Sequence, residues 1–167
     1  MAMQYDVLSA HINVTGQMVS GRARLKAIIV TGGGSAGYAY LWDTTTAPVA
    51  VTYARSAGGV ITVTNNAHGL TTGNRVGLVL AAGTGGQGTT GNYTITVTGA
   101  NTYTVQDLNS GAVTAGASGL QAAAWLSSID IAANETVSLP IPGEGVLADT
   151  GIYASVTNLS GLTVFYG

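Results

Sequence analysis

The stretch ITVTNNAHGLTTGNRVGLVL, residues 61–80, decides how this chain is read. Two apolar runs flank a centre, NNAHGLTTGN at 65–74, that is too rich in Asn, Gly and Thr to continue either of them. The runs alternate with a period near two, the mark of strands with one buried face. Asn and Gly tolerate positive φ, so the centre can reverse the chain. His68, one of 2 histidines, stands in that reversal and poses the question of whether it serves chemistry or a corner.

Outward from this stretch the same period recurs. Residues 24–31, 39–42, 49–54, 60–64, 75–80, 93–98, 102–106, 123–131, 136–139, 151–157 and 162–166 read as short strands, separated by glycine- and asparagine-rich turns such as TGGGSAG, AAGTGGQGTTGN, DLNSGA, IPGEG and NLSG. The best helical candidate, GASGLQAAAWL at 116–126, is Ala-rich but short, and the alternation after Trp125 returns to strand. The expected fold is all-β: a β-sandwich, with the jelly roll as one form of it, carrying an inserted small β-barrel-like module. Residues 58–118 are dense in Thr and Gly, with SAGG before and GASG within or after them as joints. The expected division is therefore 1–57 with 119–167 as a discontinuous framework and 58–118 as the insert, since chain ends that lie close together make insertion cheap.

Only 7% of residues are charged, against roughly 25% in an ordinary soluble domain, while 46% are hydrophobic. Enough apolar surface is present to offset chain entropy, so the chain folds. Its exterior must then be built largely of Ala, Gly, Thr and Ser, with little charge to hold copies apart, which favours an assembled state. A net charge of -2 offers no footprint for a phosphate backbone, so nucleic acid is not an expected partner. Arg22, Arg24 and Lys26 are spaced by two and read as a solvated strand face. There is no cysteine, hence no disulfide or thiolate metal site. MAMQYDVLSAH lacks the basic-then-apolar pattern of a leader, and no apolar run reaches the roughly 18 residues of a membrane span.

Several spacings imitate catalytic or binding motifs. Gly33, Ser35 and Gly37 fit G-x-S-x-G, but a nucleophile elbow needs a helix next, and the strand-like YAYLWD follows. Gly83, Gly85 and Gly88 fit G-x-G-x-x-G, yet NYTITVT follows where a dinucleotide loop needs a helix N-terminus. Asp107, Asn109 and Gly111 resemble a fragment of a calcium loop without its closing carboxylate, and read as a turn. His11 and His68 have no carboxylate or second histidine at ligand spacing. Thus no catalytic residue, cofactor or metal is expected, and the chain reads as a non-enzyme. Tyr38, Tyr40 and Trp42 alternate on one strand face, a row suited to a core, a subunit interface or stacking on sugar rings.

The run from Val60 through Asp107 resembles a small β module of bacteriophage tail and virion proteins, the FCCH-type domain named after the ubiquitin-activating enzyme. The resemblance rests on AHGL at 67–70, T-G-x-x-V at 72–76, the strand at 93–97 and A-N-x-Y-T-V at 100–105. TGNYTITV stands where such modules have N-G-x-Y. The resemblance implies no ubiquitin chemistry. It implies that His68 belongs to a tight reversal, with a side-chain bond, a positive φ at Gly69 and Leu70 turning back to the core. The framework, with its ending G-I-Y-x-x-x-x-N-L-x-G-L-T-V-F-Y-G at 151–167, is similar to short all-β structural proteins of podovirus-like tailed phages. Together these imply a virion structural protein assembled in the host cytoplasm, a capsid decoration or cement protein docking on the major capsid protein or other virion proteins. A homo-oligomer is expected, a trimer above all. The alternative is a host-recognition module of a tail or head fibre, meeting a surface glycan through the aromatic row or the insert's loops. A glycan-cleaving tail component ranks third.

Overall fold

The computed structural model describes residues 7–167, so the segment that bears on a leader lies largely outside the described residues. In chain order the strands are β1 (Leu8–Ile12), β2 (Gly16–Ser20), β3 (Ala23–Gly32), β4 (Gly37–Asp43), β5 (Val49–Arg55), β6 (Val60–Thr64), β7 (Arg75–Leu80), β8 (Gly91–Thr94), β9 (Thr96–Gly99), β10 (Thr102–Gln106), β11 (Val113–Ala122), β12 (Ala124–Ile131), β13 (Thr136–Pro140), β14 (Val146–Ala148), β15 (Gly151–Thr157) and β16 (Leu159–Tyr166). No helix occurs among the described residues. Even the Ala-rich segment at 116–126 is strand, because cross-strand pairing of Gly119 to Ala122 with β7 outweighs a weak local propensity.

The chain divides into two compact units, Met1–Ala47 with Leu126–Gly167, and Pro48–Trp125. The first is a sandwich of a sheet ordered β1-β16-β3-β13, with β14 also on β3, and a sheet ordered β12-β4-β15-β2. With β13 and β14 counted as halves of one strand, successive strands populate the two sheets in the order of a jelly roll. Its core follows strand alternation: Leu25, Ile28 and Val30 of β3, Ala39 and Leu41 of β4, Ile129 and Ile131 of β12, Ile152 and Ala154 of β15, and Leu162 and Val164 of β16. Each of the Leu, Ile and Val side chains contributes about 1.5–3 kcal/mol on burial. The phase of β3 shifts between Leu25 and Ile28, where its pairing with β16 slips at Phe165/Tyr166.

At one end of the sandwich three turns are bonded to each other. Gly33 N donates to Asn158 O (2.8 Å), Asn134 N to Gly33 O (2.8 Å) and Asn158 Nδ2 to Ala36 O (3.1 Å). A Cβ on Gly37 would stand 2.3 Å from Thr157 O, so glycine is required there by close backbone approach. At the other end Asp43, which closes β4, accepts the backbone N–H groups of Asp149 (2.9 Å), Thr150 (2.8 Å) and Gly151 (3.2 Å).

The second unit is a sheet ordered β8-β7-β11-β5-β6-β10-β9, in which neighbouring strands pair antiparallel. Its two edge strands are one continuous segment. β8 pairs with β7 and β9 with β10, while Ile95 between them donates to Asn74 O and accepts from Gly73 N, both at 3.0 Å. That segment brings the sheet's edges together into a nearly closed barrel. The core holds Val51, Tyr53, Ile61, Val63, Val76, Leu78, Leu80, Ile95, Tyr103, Val105 and Val113.

The second compact unit, Pro48–Trp125, is wider at both ends than the 58–118 expected for the insert. SAGG is not a joint but the hairpin turn from β5 to β6, and GASG is part of β11. The reason is pairing: β5 lies between β6 and β11, so removing β5 and β11 would leave open edges on β6 and β7. Strands β1, β2, β11 and β14 were not among those expected, since polar or glycine-rich composition masks their alternation. Because β5 and β11 run side by side, with Val49 opposite Gln121, the unit's two ends meet. Residues 48–125 produced alone are expected to melt cooperatively as a β protein, checked by circular dichroism; a chain without such a transition would contradict the division.

Candidate functional site

His68 sits at the corner of the 65–74 reversal with both ring nitrogens engaged. Leu70 N donates to Nδ1 (3.0 Å), and Nε2 lies 3.1 Å from Gly99 O. With Nδ1 accepting, the ring carries its proton on Nε2 and donates it to Gly99. The imidazole also meets the Tyr103 ring edge-on, centroids 5.6 Å apart. Gly69 has φ 63 and Leu70 packs against the barrel core. His68 thus spends its polar atoms on the fold, as the reversal requires, and leaves none for chemistry.

Two of the imitated motifs, at 83–88 and 107–111, meet at a buried ion pair that sequence reading missed. Arg55 and Asp107 side chains are 4% and 0% exposed, and Arg55 Nη1 donates to Asp107 Oδ2. Nη1 also reaches Gln87 O (2.8 Å) in the GTGGQG loop, and Nε reaches Gly111 O in the DLNSG turn. Asp107 accepts Thr89 N (3.1 Å) and Asn109 N (3.3 Å). Burial pushes the Asp107 carboxyl up, but hydrogen bonds from Thr89 and Arg55 outweigh it and hold the group below its ordinary value of 3.8. Tyr93 donates to Thr89 O, and burial beside Asp107 raises its hydroxyl to about 12. So both carboxylate oxygens of Asp107 are taken, and the loop that imitates a dinucleotide site is a strap held by a guanidinium. Among the described residues no group of 3 or more His, Cys, Asp or Glu side chains could hold a metal ion. The available signal was parity: Val51, Tyr53, Arg55 and Tyr103, Val105, Asp107 are inward-facing series that end in opposite charges.

A second buried network crosses the barrel. Gln121 Oε1 accepts from Tyr103 OH (2.7 Å) and Asn65 Nδ2 (2.9 Å). Burial raises the Tyr103 hydroxyl well above its ordinary value, which keeps it a donor.

The aromatic row of β4 is divided by the fold. Trp42 is fully buried and donates Nε1–H to Ser155 Oγ (3.2 Å). Tyr38 and Tyr40 are half-buried and stack on each other, centroids 4.5 Å apart, so each spends a ring face on its neighbour. Burial, then Tyr38 and Asp130, raise the Tyr40 hydroxyl. The row therefore lacks the tryptophan face that a sugar platform would use. Arg24 and Lys26 both reach Glu144, at 3.8 Å and through its carbonyl at 2.8 Å, and Arg22 pairs with Asp149 at 3.3 Å. At such exposure these pairs add little stability.

Beyond Arg24 and Lys26 at one end of β3, the outer face of the five-stranded sheet offers three rows without charge. Register places Ser9, Phe165, Ala27 and Pro140 in one row, His11, Thr163, Ile29 and Ser138 in the next, and Gly161, Thr31 and Thr136 in a third. None is Lys, Arg, Asp or Glu. His11 is itself tied to Thr163 Oγ1 (2.9 Å).

Arg55→Ala is expected to destabilise by about 3–5 kcal/mol in chemical denaturation, since it strands a buried carboxylate. Because the folded Asp107 titrates below the unfolded group, its contribution is complete above about pH 4 and is lost as pH falls through the lower folded value. Acid titration should show that loss in the native protein and not in Asp107→Asn, which is already destabilised at neutral pH. His68→Ala should cost about 1–2 kcal/mol in the same assay.

No family model matches the chain, and no curated protein matches it. Among solved structures it is similar to the Phage phi92 endosialidase, at 17% sequence identity and a TM-score of 0.34, over 80% of this chain and 20% of that one. The chain thus spans a fifth of that protein's length, and a likeness so distant carries no weight on activity.

Proposed function

We propose that the chain is a non-enzymatic structural component of a tailed-phage particle, a decoration or cement protein whose jelly roll docks through the outer face of the sheet β1-β16-β3-β13. The observation that carries the reading is that face: three registered rows of small, hydroxyl-bearing and apolar side chains, with Ile29 and Phe165 half-buried among them and no Lys, Arg, Asp or Glu within the rows, Arg24 and Lys26 lying at their edge on β3. Interface cores are depleted of charge and enriched in aromatics, and desolvating such a face costs little. The resemblance of the 60–107 run and of the 151–167 ending to phage proteins supports the same reading. The partner is the major capsid protein or another virion protein, and the low surface charge supports association of copies as a trimer.

The test is co-sedimentation of the purified chain with capsid shells, alongside its mass in solution. Ile29→Lys and Phe165→Glu should each weaken retention on shells at least tenfold while leaving the circular dichroism spectrum unchanged. A soluble monomer that never sediments with shells would overturn the reading. Host-glycan recognition is the second reading, favoured by a separate observation, the hydroxyl-covered outer face of β5, β6, β10 and β9.

A further inference from the structure

Strands β6, β9 and β10 carry the triplets TVT at 62–64, TVT at 96–98 and TYT at 102–104. Alternation sends Val63, Val97 and Tyr103 into the barrel core and leaves the threonines outside. Register then aligns them across strands: Thr64 stands opposite both Thr52 of β5 and Thr102, and Thr104 opposite both Thr62 and Thr96. Neighbouring hydroxyls are spaced about 4.8 Å across strands and roughly 6.5 Å along them. Thr98 Oγ1 donates to Thr102 Oγ1 (3.0 Å) and Thr104 Oγ1 to Thr96 O (3.4 Å), while Thr52, Thr62 and Thr64 are exposed. Among the described residues their hydroxyls have no side-chain partner.

One end of this ladder is concave. A cleft of about 370 Å³ is lined by Thr52, Thr64, Asn65 and Asn66 together with Val49 to Val51 of β5. That volume lies within the range of about 300–1,000 Å³ typical of small-ligand sites. Asn65 is only 8% exposed, and its Nδ2 is committed to Gln121, itself fixed by Tyr103. Its Oδ1 has no partner within the described chain, and it is not sealed from the exterior. A carbonyl on a side chain anchored in this way, in a residue that lines the cleft, is a preorganised acceptor, beside the hydroxyls of Thr52 and Thr64 and the exposed amide of Asn66.

We infer that this cleft and the threonine ladder leading from it bind a neutral polysaccharide, one sugar seated at Asn65 and the chain running along β6, β10 and β9. The ligand class follows from the chemistry: the surface offers many hydroxyl donors and acceptors, a fixed carbonyl and no ionised group, with the exposed Val49 at the cleft as a contact for the apolar face of a sugar ring. A phosphate- or sulfate-bearing polymer would find no cation here. The inference deepens the glycan reading and is independent of shell docking.

The test uses the full chain in affinity gel electrophoresis through gels cast with mannan, dextran or a 1,4-linked glucan, with heparin as the anionic control. Retardation by at least one neutral polymer and not by heparin is expected. Thr52→Val with Thr64→Val keeps shape and strand propensity but removes hydroxyls, and should weaken the retardation at least tenfold; Thr→Ser at the same positions should retain it. Shell co-sedimentation by these variants should be unchanged, which separates this outcome from failure of the docking reading. Absence of retardation by every neutral polymer, retardation by heparin alone, or equal retardation of the valine variant would overturn the inference. So would a valine variant that changes the chain's mass in solution, since the face would then join copies of the chain.

Discussion

The antiparallel pairing of β5 with β11 is the constraint on which the rest of the structure depends. It sets Val49 opposite Gln121 and carries on, across one irregularity, to Arg55 opposite Val113. Paired residues on adjacent strands lie about 5 Å apart, so the two ends of the 48–125 unit are held together by its own hydrogen bonds. A jelly roll can then be interrupted between β4 and β12 without a long loop to close, and loop-closure entropy is supplied within the insert. The same pairing gives the barrel its central strands, which is why the boundaries fall outside the joints that composition suggests.

Within the barrel, the buried polar side chains are gathered into two networks, with Trp125 Nε1 left without a partner. Arg55 and Asp107 bind two loops that have almost no apolar side chains of their own, and Gln121 collects Tyr103 and Asn65. A small core cannot order glycine-rich loops by apolar burial alone; a guanidinium bonded to two carbonyls and a carboxylate can. A buried pair of this kind is weak evidence of net stability, but it is sensitive to loss of either member. Its role here is placement of the loops.

Charge is sparse outside as well, and its distribution differs between surfaces. Arg24 and Lys26 of β3 meet Glu144, Arg22 pairs with Asp149 and Asp130 is exposed on β12, while the three registered rows of the five-stranded sheet carry no charge. The five-stranded sheet shows apolar and small side chains, whereas the barrel shows threonines. These are two surface chemistries, one that loses water readily and one that exchanges hydrogen bonds with it.

The sequence by itself determined the class of the fold, because period-two alternation in β3 to β10 leaves no other way to bury Val, Ile and Tyr on one side. It determined that His68 and Gly69 form a corner, since a histidine followed by glycine between two strands has local bonds available. The candidate surfaces were legible only in part. The row of Tyr38, Tyr40 and Trp42 was visible, but not that Trp42 would be buried, and the threonine triplets gain meaning only when register aligns β6, β9 and β10. Tertiary structure alone decided the strand order of the jelly roll, the closure of the barrel at Ile95 and the meeting of Arg55 with Asp107. The physical reason is separation along the chain: alternation and turn propensity act over a few residues, whereas Arg55 and Asp107, or Thr52 and Thr102, become neighbours only once strands distant in sequence have paired.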